Sequence, residues 1–221
     1  MAKLPDIDCQ TRILDAAEKA FANSGFEGAS LREIVLEAKV NLPTVYYYFE
    51  SKAGLMSAVM DRRFGPVRQE SLELLKQFQN EAKNRPPTVE KILEAMIAPP
   101  LRLATDKSAK SSVAMRLLGR IVTDPHVQTQ KLARCGHDEV REAFLVALHD
   151  ALPKLPMCDL RWRTEFLWGA LAMILVNPRK LETETHGECN PLDTKIVQAA
   201  MINFFSAGFR APSLSKIKCK N

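Results

Sequence analysis

The sequence lacks the residue patterns that mark the common enzyme classes. It contains no GxSxG, no HExxH, no phosphate-binding P-loop and no dinucleotide-binding fingerprint. His149 and Asp150 are adjacent, but neighbouring residues on a helix do not face each other and so do not form a catalytic pair. These absences predict that the chain is not an enzyme and that it uses no cofactor.

Cysteine is scarce and irregularly placed. The five cysteines are odd in number and include no CxxC, which argues against a disulfide framework and suits a reducing compartment with free thiols. The segments Cys135-Gly-His137 and His186 to Cys189 resemble fragments of a zinc site. Neither fragment has a second ligand pair at the usual spacing, so we predict no metal site.

Long hydrophobic runs are also missing. No apolar run reaches the roughly 18 residues of a membrane span, and the longest, residues 166–176, is interrupted at Gly169. The first ten residues are polar and lack the core of a signal peptide. We therefore expect a cytoplasmic protein without a membrane segment. With 46% hydrophobic residues, the 221-residue chain has enough apolar surface for one mid-sized domain or two small ones.

The most informative stretch is residues 30–55, which reads as two short helices, a tight turn between them and the start of a third. Ser30 with Glu33 predicts a capping box at the first helix. Asn41 predicts the cap of the second helix, where Pro43 occupies the first turn. Ser51 predicts the cap of a longer helix that starts near residue 52.

The second of these helices is too short to bury a core of its own. Val45 and Phe49, four residues apart, are expected to anchor it to the helices before it. Four polar or aromatic residues then face outward: Thr44, Tyr46, Tyr47 and Tyr48. This geometry is typical of a recognition helix in the DNA major groove. Spacing alone equally allows an ordinary helical hairpin with half-buried tyrosines.

Charge does not decide between these alternatives. Residues 1–65 contain eight Lys or Arg and nine Asp or Glu, although the whole chain has a net charge of +5. DNA binding therefore requires local placement, with Lys39, Lys52 and helix N-termini on one side. The acidic residues are expected on the other side: Asp6, Asp8, Asp15 and Glu18.

The pattern continues beyond the two short helices. Matching positions run in register over about fifty residues: RILDAA at 12–17, Phe21, Gly25, Phe26, SLREI at 30–34, Val40, Thr44, Tyr46, Tyr47, Phe49, Ser51, Lys52 and Leu55. With these residues the chain resembles the TetR family of bacterial transcriptional regulators. The resemblance implies a three-helix head that binds operator DNA, so we predict a DNA-binding site made of residues 30–52.

The resemblance also implies roles within this site. The expected phosphate contacts are Ser30, Thr44, Tyr46, Tyr47, Ser51 and Lys52. The expected base-reading positions are Arg32, Asn41, Leu42 and Pro43. Lys39 replaces the usual glycine of the turn, and a left-handed backbone there would cost about 1 kcal/mol. Leu42-Pro43 replaces a commoner polar pair and favours apolar contact, for example with a thymine methyl group.

No strand-like alternation and no repeat occurs, so the predicted fold class is all-α. The predicted domains are an N-terminal helix-turn-helix head at 1–50, a connecting helix at 51–79 and a larger helical effector-binding and dimerisation domain at 80–221. Gly65-Pro66 is expected to kink or end a helix, and Pro99-Pro100 to stop one. A polar loop is expected at residues 179–190.

Residues 166–176 are apolar on every side, and a helix of this kind must be buried on every side. Pairing with the last helix and with the same two helices of a second copy would bury it, which predicts a homodimer on an operator with two half-sites. The expected interface residues are Phe166, Leu167, Ala170, Ile174, Ile196, Ala200 and Phe204. The alternative is a monomer whose own core covers this helix.

The second domain also resembles the TetR repressors that respond to fatty acids or acyl-CoA, through MRLLG at 115–119, ALPKLP at 151–156, Trp162-Arg163 and FFSAGFR at 204–210. This implies a repressor released by a small apolar effector, such as a fatty acyl compound. The expected pocket residues are Met96, Met115, Arg116, Leu118, Arg120, Arg163, Phe166 and Met173, because methionine adapts to irregular apolar shapes and arginine binds anions. The competing hypotheses are a helical protein-binding module and, more remotely, an enzyme.

Overall fold

The computed structural model describes residues 7–106, 109–124 and 138–213. Within these ranges the chain forms α-helices and no strand, which confirms the all-α prediction. The helices in chain order are α1 Ile7–Gly28, α2 Leu31–Ala38, α3 Leu42–Phe49, α4 Lys52–Ala82, α5 Val89–Thr105, α6 Ala109–Thr123, α7 Asp138–Ala151, α8 Met157–Val176, α9 Pro178–Glu184 and α10 Thr194–Arg210.

The described residues divide into two compact units. The first unit holds residues 7–66 and 109–124, and the second holds residues 67–106 and 138–213. The predicted domains follow sequence order and place α6 with the C-terminal helices. In the structure α6 packs against α1, so it belongs to the first unit.

The first unit is organised around α1. Its apolar stripe, which includes Ile13, Ala17 and Phe21, is fully buried. Gly25 has φ 71° and interrupts the helical geometry, as expected for a glycine that ends a helix. The break lets Phe26 turn back until its ring lies 6.2 Å from the ring of Phe21. The next helices, α2 and α3, pack onto this base.

The second unit is organised around α5, which packs against α7, α8 and α10. Pro99 and Pro100 lie inside α5, so the prediction that they stop the helix is wrong. An internal proline costs about 3 kcal/mol. Apolar side chains on both sides of the pair, such as Ile97 and Leu101, are almost fully buried, and each contributes about 1.5–3 kcal/mol. Packing therefore overrides the local preference.

Other predicted boundaries changed in similar ways. Pro66 lies within α4, which continues through it to Ala82. The loop expected at 179–190 begins as a helix, α9, because Pro178 occupies the first helical turn, where its missing N–H costs little.

Cys158 forms a disulfide bond, so the expectation of free thiols fails at this residue. Cys9 and Cys189 are free.

In the single chain the apolar half of α8 is not buried on every side. Phe166 and Met173 are each 61% exposed, and Trp162 is 53% exposed. On α10, Ile196 and Phe204 are exposed as well. The helix buried on most of its surface is α5.

Neither a membrane helix nor a metal cluster occurs in the described ranges. No helix there is both long and apolar enough to cross a bilayer. No three His, Cys, Asp or Glu side chains there are grouped to hold a metal ion. His186 and Cys189 are exposed, and the other candidate fragment, Cys135 to His137, lies outside the described residues.

An ion pair between α10 and α5 gives a pH-dependent prediction. Arg210 donates two hydrogen bonds to Glu90, and this lowers the pKa of Glu90 from 4.5 to about 2. The stabilisation is complete above pH 4.5 and is lost as the pH falls toward 2. Since both side chains are more than 40% exposed, we expect only about 0.2–1 kcal/mol at pH 7.

Glu90→Gln should therefore lose this small amount at pH 7 and almost nothing at pH 2. Urea unfolding curves at several pH values measure the difference. Glu188→Gln, in an exposed loop, serves as the control. The same pH dependence in both variants would contradict the assignment.

Candidate nucleic-acid interface

A tight turn joins α2 to α3. Lys39 has φ 54° and ψ 49°, the left-handed conformation that a glycine adopts most easily. The N–H groups of Lys39 and Val40 donate to the carbonyls of Leu36 and Val35, which closes the end of α2. Arg12 on α1 adds a hydrogen bond of 3.0 Å to the carbonyl of Ala38. Main-chain and side-chain donors together thus fix the turn between the two helices.

Asn41 caps α3, as the sequence predicts. Its side-chain oxygen accepts a hydrogen bond of 3.0 Å from the backbone N–H of Thr44 and a second one from the Thr44 hydroxyl. The hydroxyl proton of Thr44 is therefore already used within the protein. Contact between this hydroxyl and a phosphate, which is also an acceptor, would require the hydroxyl to leave Asn41.

The tyrosines of α3 face outward because two apolar residues hold the helix. Val45 is fully buried and Phe49 is 6% exposed, so both anchors lie where the spacing predicts. Tyr46 is 46% exposed and Tyr47 is 68% exposed. Tyr48 is half-buried, with its ring 5.2 Å from the ring of Tyr47. Two phenol groups are thus presented on the outer face of a capped helix.

The N-termini of α2 and α4 differ in their caps. Ser51 accepts a hydrogen bond of 3.0 Å from the N–H of Gly54, which confirms it as the cap of α4. Ser30 has the backbone of a cap but makes no side-chain capping bond, so the predicted capping box is wrong. Lys52 donates to the carbonyl of Glu27 at 3.2 Å and lies 5.0 Å from the centre of the Phe26 ring.

Three acidic residues of α1 form ion pairs within the first unit. Asp15 pairs with Arg62 at 2.8 Å, and the buried Glu18 pairs with both Arg62 and Arg63. Asp8 lies 3.3 Å from Arg12. Asp6 lies outside the described residues.

Exposed cations remain on the outer face of α2 and its turn. Arg32 and Lys39 are both exposed there. We call the recognition surface the following exposed or half-buried residues of α2, α3, the start of α4 and the segments before them: Ser30, Arg32, Lys39, Asn41, Leu42, Pro43, Tyr46, Tyr47, Ser51 and Lys52.

Lys39 supports a prediction with two opposite effects. Lys39→Gly removes a side chain from a left-handed backbone and should stabilise the fold by about 1 kcal/mol. It also removes a cation, so operator affinity should fall. The slope of log K against log salt should shrink by about 0.9 for each phosphate that is no longer neutralised. Thermal melts and salt-dependent binding measure the two effects separately.

Lys83→Gly is the matched control, because Lys83 also has a positive φ, of 58°, and lies in the second unit. It should stabilise the fold without changing the salt slope. If the two variants bind DNA with the same salt slope, Lys39 does not contact a phosphate.

The predicted effector residues divide between the two units. Met115, Arg116, Leu118 and Arg120 lie on α6 in the first unit. In the second unit Met96 is buried in the core. The remaining residues lie on α8: Arg163, Phe166 and Met173. Neither unit brings the whole set together.

The three arginines predicted to bind an anion also differ in their hydrogen-bond partners. Arg120 donates a hydrogen bond of 2.8 Å to the carbonyl of Asn23, just before the break in α1. Arg163 donates to several carbonyls at the C-terminal end of α10. Arg116 is exposed and makes no hydrogen bond or ion pair with another described residue. Of the three, Arg116 has the guanidinium that an anion reaches without displacing a protein partner.

Most of the predicted interface residues are exposed or half-buried. Phe166, Ile196 and Phe204 are more than 60% exposed, Ala200 is exposed, and Ala170 and Ile174 are half-buried. Leu167 is fully buried and belongs to the core of the second unit. Trp162 is not among the predicted interface residues, although it lies four residues before Phe166 with its ring 5.9 Å away. Helical spacing from Phe166 was the signal that pointed to it.

A short α2, a closed three-residue turn and a capped α3 with exposed tyrosines define a helix-turn-helix protein of the DNA-binding class. Residues 13–59 match the N-terminal region described as bacterial regulatory proteins of the tetR family. Residues 94–208, more than half of the chain, match the tetracyclin repressor-like C-terminal domain. The chain belongs to the TetR family of bacterial transcriptional regulators.

Individual relatives agree with this family. The probable HTH-type transcriptional regulator YttP of Bacillus subtilis is 40% identical over 50 residues, which are 23% of this chain and 24% of that protein. The alignment thus spans about a quarter of that relative's length.

Solved structures share the fold. FadR from Bacillus subtilis, solved with stearoyl-CoA, matches with a TM-score of 0.54 and 14% identity over 90% of this chain and 98% of that chain. The fatty acid degradation regulator FadR from Bacillus halodurans matches with a TM-score of 0.56 and 15% identity over 95% of this chain and 100% of that chain.

Proposed function

We propose that this protein is a dimeric repressor that binds a pseudo-palindromic operator through the recognition surface and is released by a fatty acyl effector. The observation that carries the DNA contact is the placement of Tyr46 and Tyr47. Both are exposed on a helix whose opposite face is anchored by Val45 and Phe49. Exposed tyrosines on a short capped helix do not contribute to the hydrophobic core. We therefore attribute their placement to contact with a partner molecule.

The contacts within the recognition surface follow from donor chemistry. Tyr46, Tyr47 and Ser51 offer hydroxyl groups, and the N-terminus of α4 offers backbone N–H groups, all of which bind phosphate oxygens. Lys39 adds a charge. The side-chain oxygen of Asn41 is used in its own cap, so its amide N–H groups are left to donate to a base or phosphate acceptor.

Leu42, Pro43 and Arg32 are the residues that we propose to read base edges. Leu42 and Pro43 begin α3, the end that a recognition helix directs into the major groove. Their apolar surfaces suit a thymine methyl group, whereas Arg32 suits the paired acceptors of a guanine.

The dimer rests on the exposed apolar face of the second unit. Phe166 and Met173 on α8, with Ile196 and Phe204 on α10, present large apolar side chains at helical spacing. Large apolar side chains exposed at helical spacing on two helices of one unit are typical of an interaction site. A second copy of the chain supplies the same surface, so the two copies can pair about a two-fold axis. The dimer then has two heads, one for each half-site of the operator.

The proposed effector is a fatty acyl compound. Its support is the sequence resemblance of the second domain to fatty acyl-responsive repressors, together with a shared fold with a FadR that binds stearoyl-CoA. Arg116 is the cation that we assign to an anionic group of the effector, since Arg120 and Arg163 are engaged by backbone carbonyls.

The test is a mobility-shift assay with duplex DNA from upstream of the protein's own gene, with and without stearoyl-CoA. We expect a shifted band at low salt, its release by stearoyl-CoA and no release by free coenzyme A. Failure to bind any duplex at low salt would overturn the proposed function and favour a protein-binding module. Binding that stearoyl-CoA leaves unchanged would remove the effector class only. A promoter fusion that becomes less active without the protein would contradict repression.

A further inference from the structure

The end of α10 is held to α8 by a single arginine. Nη1 of Arg163 lies 3.0 Å from the carbonyl oxygen of Gly208, 2.7 Å from that of Phe209 and 2.9 Å from that of Ala211. Nη2 lies 3.3 Å from the carbonyl oxygen of Pro212. One guanidinium therefore serves four carbonyls in or just after the last turn of the helix, where carbonyls lack the usual intrahelical partner.

The guanidinium is itself held in place. Asp159, one turn earlier on α8, is 4% exposed, and its carboxylate lies 3.4 Å from Nη2 of Arg163. The Arg163 side chain is 14% exposed. A partly buried cation with a buried carboxylate on one side and helix carbonyls on the other is electrostatically satisfied, because the carbonyl end of a helix carries partial negative charge.

This contact places the start of α8 beside the end of α10. The exposed apolar residues of α8 at this end are Trp162 and Phe166, which flank Arg163 in sequence. On α10 the exposed Phe204 lies one helical turn before Gly208. The exposed aromatic residues of both helices therefore lie near the contact that Arg163 makes between α8 and α10.

We propose that Arg163, oriented by Asp159, is a positioning residue for dimerisation. This inference rests on the proposed dimer. Arg163 fixes the α8 and α10 faces relative to each other, so that both meet the partner subunit together. The role replaces the effector contact predicted from the sequence, since its donors are already taken up by the main chain.

Arginine suits this position better than lysine. The planar guanidinium offers five N–H donors in fixed directions, whereas a lysine ammonium offers three on a flexible stem. Arg163→Lys keeps the charge opposite Asp159 but does not span four carbonyls. It should weaken dimerisation in the same direction as Arg163→Gln and by a smaller factor.

The experiment measures the dimer dissociation constant of the full chain by sedimentation velocity, well below the melting transition of each variant. Arg163→Gln should raise this constant roughly tenfold or more, the effect of losing a hydrogen-bonded charge. Arg161→Gln is the matched control, because Arg161 is an exposed arginine of the same helix with a 3.7 Å pair to Glu142. It should leave the constant unchanged.

The outcomes separate the two proposals. A wild-type dimer with unchanged dissociation constants for Arg163→Gln and Arg163→Lys overturns the positioning role and leaves the dimer intact. A monomeric wild type overturns the dimer, and the positioning role with it. A lower melting temperature with unchanged dimerisation shows a purely structural role and also overturns the inference. If Arg163→Gln does not fold, Arg163→Lys decides.

Discussion

Replacing Tyr46 and Lys52 with alanine should abolish operator binding while the protein remains folded. Tyr46 would lose a hydroxyl donor and Lys52 a cation at the phosphate backbone, and hydrogen bonds to charged groups are worth about 1.5–3 kcal/mol each. A dimer with this pair of residues in each head would lose four such contacts, so the operator affinity should fall by roughly 10⁴-fold or more. Fluorescence anisotropy on a labelled operator measures the loss.

Lys52 needs a separate control because it also contacts its own chain. Its hydrogen bond to Glu27 and its position over the Phe26 ring stabilise the first unit, so melting curves must accompany the binding data. Lys76→Ala removes an exposed cation from the second unit and should leave binding unchanged. Tyr46→Phe keeps the ring and isolates the hydroxyl. Normal operator affinity in the folded double variant would rule out the proposed contacts.

Phe166→Glu should convert the proposed dimer into a 24.8 kDa monomer. Phe166 is 61% exposed in the single chain, so the change costs little in folding, but it would place a carboxylate in each half of an apolar interface. Losing the link between two heads should lower operator affinity by roughly 10²–10⁴-fold. Sedimentation gives the mass, and binding to an intact operator gives the affinity.

Val146→Glu provides the comparison. Val146 is 48% exposed on α7, a helix that contributes no residue to the assigned interface, so it tests the effect of adding a carboxylate to an exposed apolar site. It should remain dimeric and bind DNA normally. If Phe166→Glu is also dimeric, the α8 face is not the interface.

Local chemistry predicted the helix-turn-helix well. Asn41 and Ser51 cap their helices, and Lys39 is left-handed, because each of these features depends on a few neighbouring atoms. Val45 and Phe49 are buried because a four-residue spacing places them on one face of any helix. Ser30 is the exception, since its hydroxyl makes no capping bond despite a suitable backbone.

Features that depend on long-range packing could not be predicted from the sequence. Pro99 and Pro100 break helices in isolation, but α5 is buried among α7, α8 and α10, and sequence order does not reveal that environment. The roles of Arg120 and Arg163 were missed for a related reason. Their acceptors are main-chain carbonyls 97 and 45 to 49 residues away. Every residue has such a carbonyl, so the residue types do not show which one accepts the hydrogen bond.

The position of α6 bears on how the head can be isolated. Residues 109–124 complete the first unit by packing on α1, although both flanking segments of the chain belong to the second. A fragment truncated after residue 66 would keep the helix-turn-helix but leave bare the side of α1 that α6 covers. The unit that carries the helix-turn-helix is thus not an autonomous module at the N-terminus, and a linear cut at any one peptide bond leaves it incomplete.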